Sequence, residues 1–188
     1  AVGSESQAAA TTGEYNTSLG GRSMSVGAVT GDANVALGYL AGNNLTSGQT
    51  NTLIGTEAGD ALTTGSNNVA IGYAALTTED ANGLNVAIGV GALQTLNAGA
   101  DAYNVAVGMH AGLNMTTGIN NTVIGGLAGD AINTGGQNIA LGKASLTSAT
   151  TASDNVGLGY AALSALTTSG RNVAIGTEAL NGAMATNS

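Results

Sequence analysis

Asn followed by a β-branched residue, one further residue, an aliphatic residue and Gly recurs through this chain. The motif starts at Asn16, Asn34, Asn51, Asn68, Asn85, Asn104, Asn121, Asn138, Asn155 and Asn172. Successive spacings are 18, 17, 17, 17, 19, 17, 17, 17 and 17 residues. So short and regular a period is the signature of a solenoid, in which each coil buries its apolar side against its neighbours. No unit offers ten residues free of Gly or another breaker, so strands and turns, not helices, build the coils.

With Asn as position 1, the columns have physical meanings. Position 2 is β-branched in every unit, position 4 is Leu, Ile or Val, and position 5 is always Gly, from Gly20 to Gly176. That is a short strand running into a turn. Stacked in parallel at about 4.8 Å, identical side chains form ladders. An Asn ladder along the axis explains why so poor a strand former recurs at Asn34, Asn51, Asn68, Asn85, Asn104, Asn121, Asn138, Asn155 and Asn172. Alternatively, each Asn supplies a left-handed turn.

Positions 9 and 12 compensate. Where position 9 is Gly (Gly42, Gly59, Gly112, Gly129), position 12 is Leu45, Leu62, Met115 or Ile132. Where position 9 is Leu (Leu76, Leu93, Leu146, Leu163), position 12 relaxes to Glu79, Leu96, Ala149 or Leu166. One pocket per coil is filled from either side, as constant core volume requires. The order Gly, Gly, Leu, Leu runs from Asn34 to Tyr103 and again from Asn104 to Arg171, which marks a duplicated block of four coils.

Position 3 points opposite to positions 2 and 4, yet it is Ala, Leu, Val or Gly in every unit but the first, which has Ser18. A strand apolar on both faces is usually buried on both. One face is expected to line the coil's own core, and the small residues of position 3 are expected to seat a second chain. The fold class is therefore all-β: a parallel β-solenoid (β-roll or β-helix) of about ten 17-residue coils, in a homo-oligomer. Residues 16–180 form the repeat domain, with 1–15 as an N-terminal cap or junction and 181–188 as a C-terminal tail or processing end.

Composition narrows the partners. The chain has 31 Gly and no Pro, Cys, Trp or Phe, so Val, Ile, Leu and Ala must make a thin, regular core. Eleven acidic residues against three basic ones give a net charge of −8, which disfavours nucleic acid and anionic membrane surfaces. No apolar run approaches the roughly 20 residues of a membrane-spanning helix. Without Cys there is no disulfide or thiolate chemistry.

The residues offer little chemistry. His110 has no second His and no carboxylate in its neighbourhood "VGMHAGLN", so it suits neither a metal site nor a catalytic triad. Asp60 and Asp130, like Glu57 and Glu178, occupy equivalent positions at least four coils apart, roughly 20 Å, too far to share one glycosidic bond. Glu57 with Asp60, and Glu79 with Asp80, are closer but look like ordinary loop acids. "GGQNIALGKAS" has the letters of a phosphate loop but not its spacing, and Lys143 simply occupies position 6. Asp32, Asp101 and Asp154 lie near unit starts without the Asp and Gly alternation of calcium-binding rolls. No catalytic, cofactor-binding or metal-binding residue is therefore assigned. Tyr39, Tyr73 and Tyr160, all at position 6, are candidates for contact with a receptor sugar.

The register of "NVAIGxxAL" with "LTTG", over about residues 16 to 180, resembles repeats of phage tail-fibre and related surface proteins. It is also similar to the "SVAIG" repeats in the heads of trimeric autotransporter adhesins. That resemblance implies a homotrimer and a structural or adhesive shaft. It further implies a virion tail fibre or a cell surface as location, with other fibre segments and a host receptor, a glycan, as partners. Fibres of this kind commonly end in an endosialidase-type intramolecular chaperone that cuts itself away after a Ser, and "AMATNS" places Ser188 at such an end. Ten coils give a shaft about 50 Å long.

Two other functions fit the residues less well. An ice-binding solenoid needs flat Thr ranks; position 14 supplies Ser47, Thr64, Thr117, Thr134, Thr151 and Thr168, but Ala81 and Ala98 interrupt it. A polysaccharide hydrolase needs an acid pair, which here could arise only between subunits.

Overall fold

The computed structural model describes residues 1–8 and 11–182. Ten three-residue strands form one parallel sheet: β1 (Thr17–Leu19), β2 (Val35–Leu37), β3 (Thr52–Ile54), β4 (Val69–Ile71), β5 (Val86–Ile88), β6 (Val105–Val107), β7 (Thr122–Ile124), β8 (Ile139–Leu141), β9 (Val156–Leu158) and β10 (Val173–Ile175). Each strand pairs only with its sequence neighbours, in the order β1 to β10, and the register joins like to like: Ile71 beside Ile88, Val69 beside Val86. The chain is a β-solenoid, with no helix among the described residues.

Three features close each coil. The Gly at position 5 has φ between 124° and 143°. A methyl group on Gly72 would meet the carbonyl oxygen of Gly89 at 2.5 Å, so these turns stack backbone on backbone and exclude any side chain. Positions 7 and 9 and the residue before each Asn are left-handed, as at His110 (φ 58°), Leu146 (φ 54°) and Tyr103 (φ 52°). Each such non-Gly residue costs about 1–2 kcal/mol on its own. Hydrogen bonds offset that cost by pointing in opposite directions along the rod. His110 N–H donates back to Val90 O (2.8 Å), while Leu93 N–H donates forward to Ala111 O (3.0 Å).

The Asn column seals the seam where one coil passes to the next. From Asn34 to Asn172, every backbone N–H donates to the side-chain oxygen of the preceding Asn, at 2.8 to 3.3 Å. Several amides add a second bond, such as Asn138 Nδ2 to Asn121 Oδ1 at 3.0 Å. In the coils from Asn16 to Asn155 other than that of Asn85, the side chain also donates to a carbonyl of its own coil, as in Asn121 Nδ2 to Gly135 O at 2.9 Å. Asn34 through Asn155 are buried in this arrangement. The left-handed residue at the seam is the one before each Asn, not the Asn itself.

Position 3 overturns one expectation. Ala36, Leu53, Ala70, Ala87, Ala106, Val123 and Ala140 are fully buried inside their own chain, together with the small residues of position 8. They therefore do not seat a second chain. Positions 2 and 4, the β-branched and aliphatic columns, are the ones that face outward, as the alternating burial of every strand records. The inward assignment follows from the coil's thinness, because only a small residue fits between the strand and the opposite wall. Where position 3 is large, the wall recedes: Leu53 and Val123 fill the space left at Gly59 and Gly129.

The ladder also reaches upstream of the first Asn. Val2 bridges Leu19, Arg22 N–H donates to Ser4 O, and Gln7 N–H donates to Ser23 O. Glu5 and Arg22 add an ion pair at 3.4 Å. The stretch expected to be a cap or junction thus carries the repeat register in residues 2–7. Ser188, the expected processing end, lies outside the described residues.

Candidate functional site

The outward columns form the most extended surface feature. Thr17, Val35, Thr52, Val69, Val86, Val105, Thr122, Ile139, Val156 and Val173 make one rank, and the aliphatic residues of position 4 make the other. Regular strand spacing makes the strip about 43 Å long, with the two ranks about 6.7 Å apart. No charged side chain interrupts either rank. Such an apolar strip, of several hundred Å², is the size that marks contact surfaces. Every coil presents a β-branched and an aliphatic residue to it in the same register.

Tyr39, Tyr73 and Tyr160 lie beyond the turn Gly and are 49%, 54% and 50% exposed. Two coils separate the first two, about 10 Å, and five more separate Tyr73 from Tyr160, about 24 Å. They are single accessible rings, not one stacking platform. The other two tyrosines, Tyr15 and Tyr103, occupy the left-handed position before an Asn and are also exposed.

The titratable groups are scattered along the rod. His110 packs over Gly91, where an added methyl group would touch its ring at 2.8 Å, and lies near Gln94. Asp60 and Asp130, at equivalent places in the two blocks, each turn an Oδ1 into the wall with no hydrogen-bond partner. Burial raises the pKa of both, and Glu57 adds repulsion at Asp60. Among the described residues no three His, Cys, Asp or Glu side chains gather as a metal site. Hydroxyls at position 13 are turned to the next coil, as Thr46 to Thr63 O at 3.0 Å and Thr116 to Asn133 O at 3.4 Å.

Glu79 does lie in a loop, as the sequence suggests, but it is not the ordinary loop acid expected there. It occupies the core position 12 and is completely buried. Oε1 accepts from Asn82 N–H at 3.3 Å and Asn82 Nδ2 at 3.1 Å, and Oε2 from Ala98 N–H at 3.5 Å. Burial pushes its pKa up, and these hydrogen bonds oppose the shift. Its place in an otherwise apolar column was the available signal.

No known protein family, curated protein or solved structure matches the chain.

Proposed function

We propose that this chain is a structural and adhesive shaft segment of a homotrimeric viral tail fibre or cell-surface adhesin, serving host attachment rather than catalysis. The observation that carries this reading is the uncharged strip of β-branched and aliphatic residues at positions 2 and 4. Three copies packed strip to strip bury it, and the identical residue types at each height let threefold symmetry repeat one contact along the whole rod. Stiffness follows from the ladders and reach from the coil number. A host glycan is the proposed receptor, with the exposed Tyr39, Tyr73 and Tyr160 as contact points.

Mass in solution, measured by light scattering across a dilution series, tests the assembly. A stable species of three chains is the expected result. A monomer at every concentration removes the trimeric shaft.

A further inference from the structure

The fifth coil is two residues longer than the usual 17, since Asn85 and Asn104 stand 19 apart. The extra length opens a bulge at Gly99–Asp101, where Gly99 has φ 71° and nothing lies within 4 Å of the place its side chain would take. In the 17-residue coils from Asn34 to Asn138 other than coil four, the position 13 amide donates to the position 13 carbonyl of the next coil, and in three of them the position 15 amide does so too. Thr63 and Gly65 both donate to Asp80 O in this way, and Thr116 and Gly118 to Asn133 O. Coil four breaks the pattern: Asp80 and Asn82 have no such bond to Asn97 O. Glu79 accepts instead from Asn82, through its N–H and its Nδ2, and from the N–H of Ala98 next to the bulge.

The duplicated block provides an internal control. Its counterpart of Glu79 is Ala149, its counterpart of coil five has the ordinary 17 residues, and Thr150 N–H donates normally to Thr167 O at 2.9 Å. Insertion and buried acid occur together, and both are missing together.

We propose that Glu79 and the two-residue bulge form one latch, a buried carboxylate standing in for the backbone acceptor that the insertion withdraws, with proton uptake at Glu79 tightening the closure of coils four and five. Ionised, the carboxylate serves the amides but holds its charge in a fully buried place; protonated, it keeps an acceptor oxygen and loses the desolvated charge. The other titratable groups on these edges are Asp80, paired with Thr63, and Asp101, which accepts from Gly83 N–H at 3.2 Å. The facing edge of coil three, Leu62 to Gly65, carries none. The latch is therefore closed in mild acid and loosens toward neutral and alkaline pH.

Amide hydrogen exchange on the intact chain between about pH 4.5 and pH 8 tests this, corrected for the intrinsic exchange rate. Protection of residues 79–83 and 97–102 is expected to fall as pH rises, about tenfold for each unit by which burial raises the Glu79 pKa. The matching segments 149–153 and 167–171 are expected to stay level. E79Q is expected to keep the segment protected at every pH, whereas D101N keeps the wild-type profile. The same pH dependence in E79Q, or none in the wild type, overturns the latch. Should E79Q fail to fold, the wild-type comparison of the two blocks still decides.

Discussion

A methyl group on Gly59 would come within 2.8 Å of Leu53 Cδ2, so the large residue at position 3 and the missing side chain at position 9 are two halves of one packing solution. Coil five solves the same problem the other way, with Ala87 at position 3 and Leu93 at position 9, both buried. Its Leu93 is left-handed (φ 49°), so the backbone at this position accepts a side chain where there is room. Leu53→Ala alone and Gly59→Leu alone are each expected to cost about 2–4 kcal/mol, one by a cavity and the other by overpacking. The double variant reproduces coil five and is expected to recover more than half of the summed loss, as urea denaturation would read.

The Asn seam makes a second expectation. Asn121→Ala leaves the Asn138 N–H and the Gly135 carbonyl without their side-chain partners, in a buried site. A loss of about 2–4 kcal/mol is expected. Loss of protection should centre on the coils beginning at Asn121 and Asn138, because each coil touches only its neighbours.

Acid dependence follows from Asp60, Glu79 and Asp130, whose pKa values burial raises above the ordinary 3.8 and 4.5. The folded chain holds these protons more tightly than the unfolded one. Their contribution to stability is thus complete below the ordinary values and is lost as pH climbs through the raised ones. The thermal midpoint is expected to be higher in mild acid than at neutral pH. Asp60→Asn and Asp130→Asn should raise the neutral midpoint and leave the acid one nearly unchanged. Asn43 already occupies the same column position, so the amide fits.

Charge on the outer strip separates assembly from folding. Ile71→Lys places an ammonium on the outward face of β4, where a threefold assembly would bring three such charges to one height. Scattering mass is expected to fall from three chains to one, while the single-chain circular dichroism signal persists. An unchanged mass would show that this strip is not what joins the chains.

Much of this architecture was legible because a ladder repeats its own instructions. The strand at positions 2 to 4 and the turn Gly follow from the columns, whereas the volume at position 9 trades with position 3 and not simply with position 12, since Leu93 and Leu96 are both buried. The facing of position 3 was not legible there, because an apolar column is compatible with either side of a strand. Leu53 with Gly59 and Val123 with Gly129 held the answer, since volume trades only between residues that touch. Val2–Gln7 escaped because the register was followed through Asn, and that stretch pairs without one. Glu79 escaped because acids belong outside by default, and only the unmet amides of a lengthened neighbour bring one in.

The dependence of Glu79 on the bulge also constrains how such a chain can be inherited. Unequal recombination between two Asn columns adds or deletes whole coils and leaves every seam intact, so solenoid length can drift freely by single units. A crossover between coils four and five is different, since it parts the acid from its insertion. One product carries an acid facing a coil that offers it no amides, and the other a bulge with nothing to answer it. These two coils form a single heritable unit within a chain otherwise divisible at every turn.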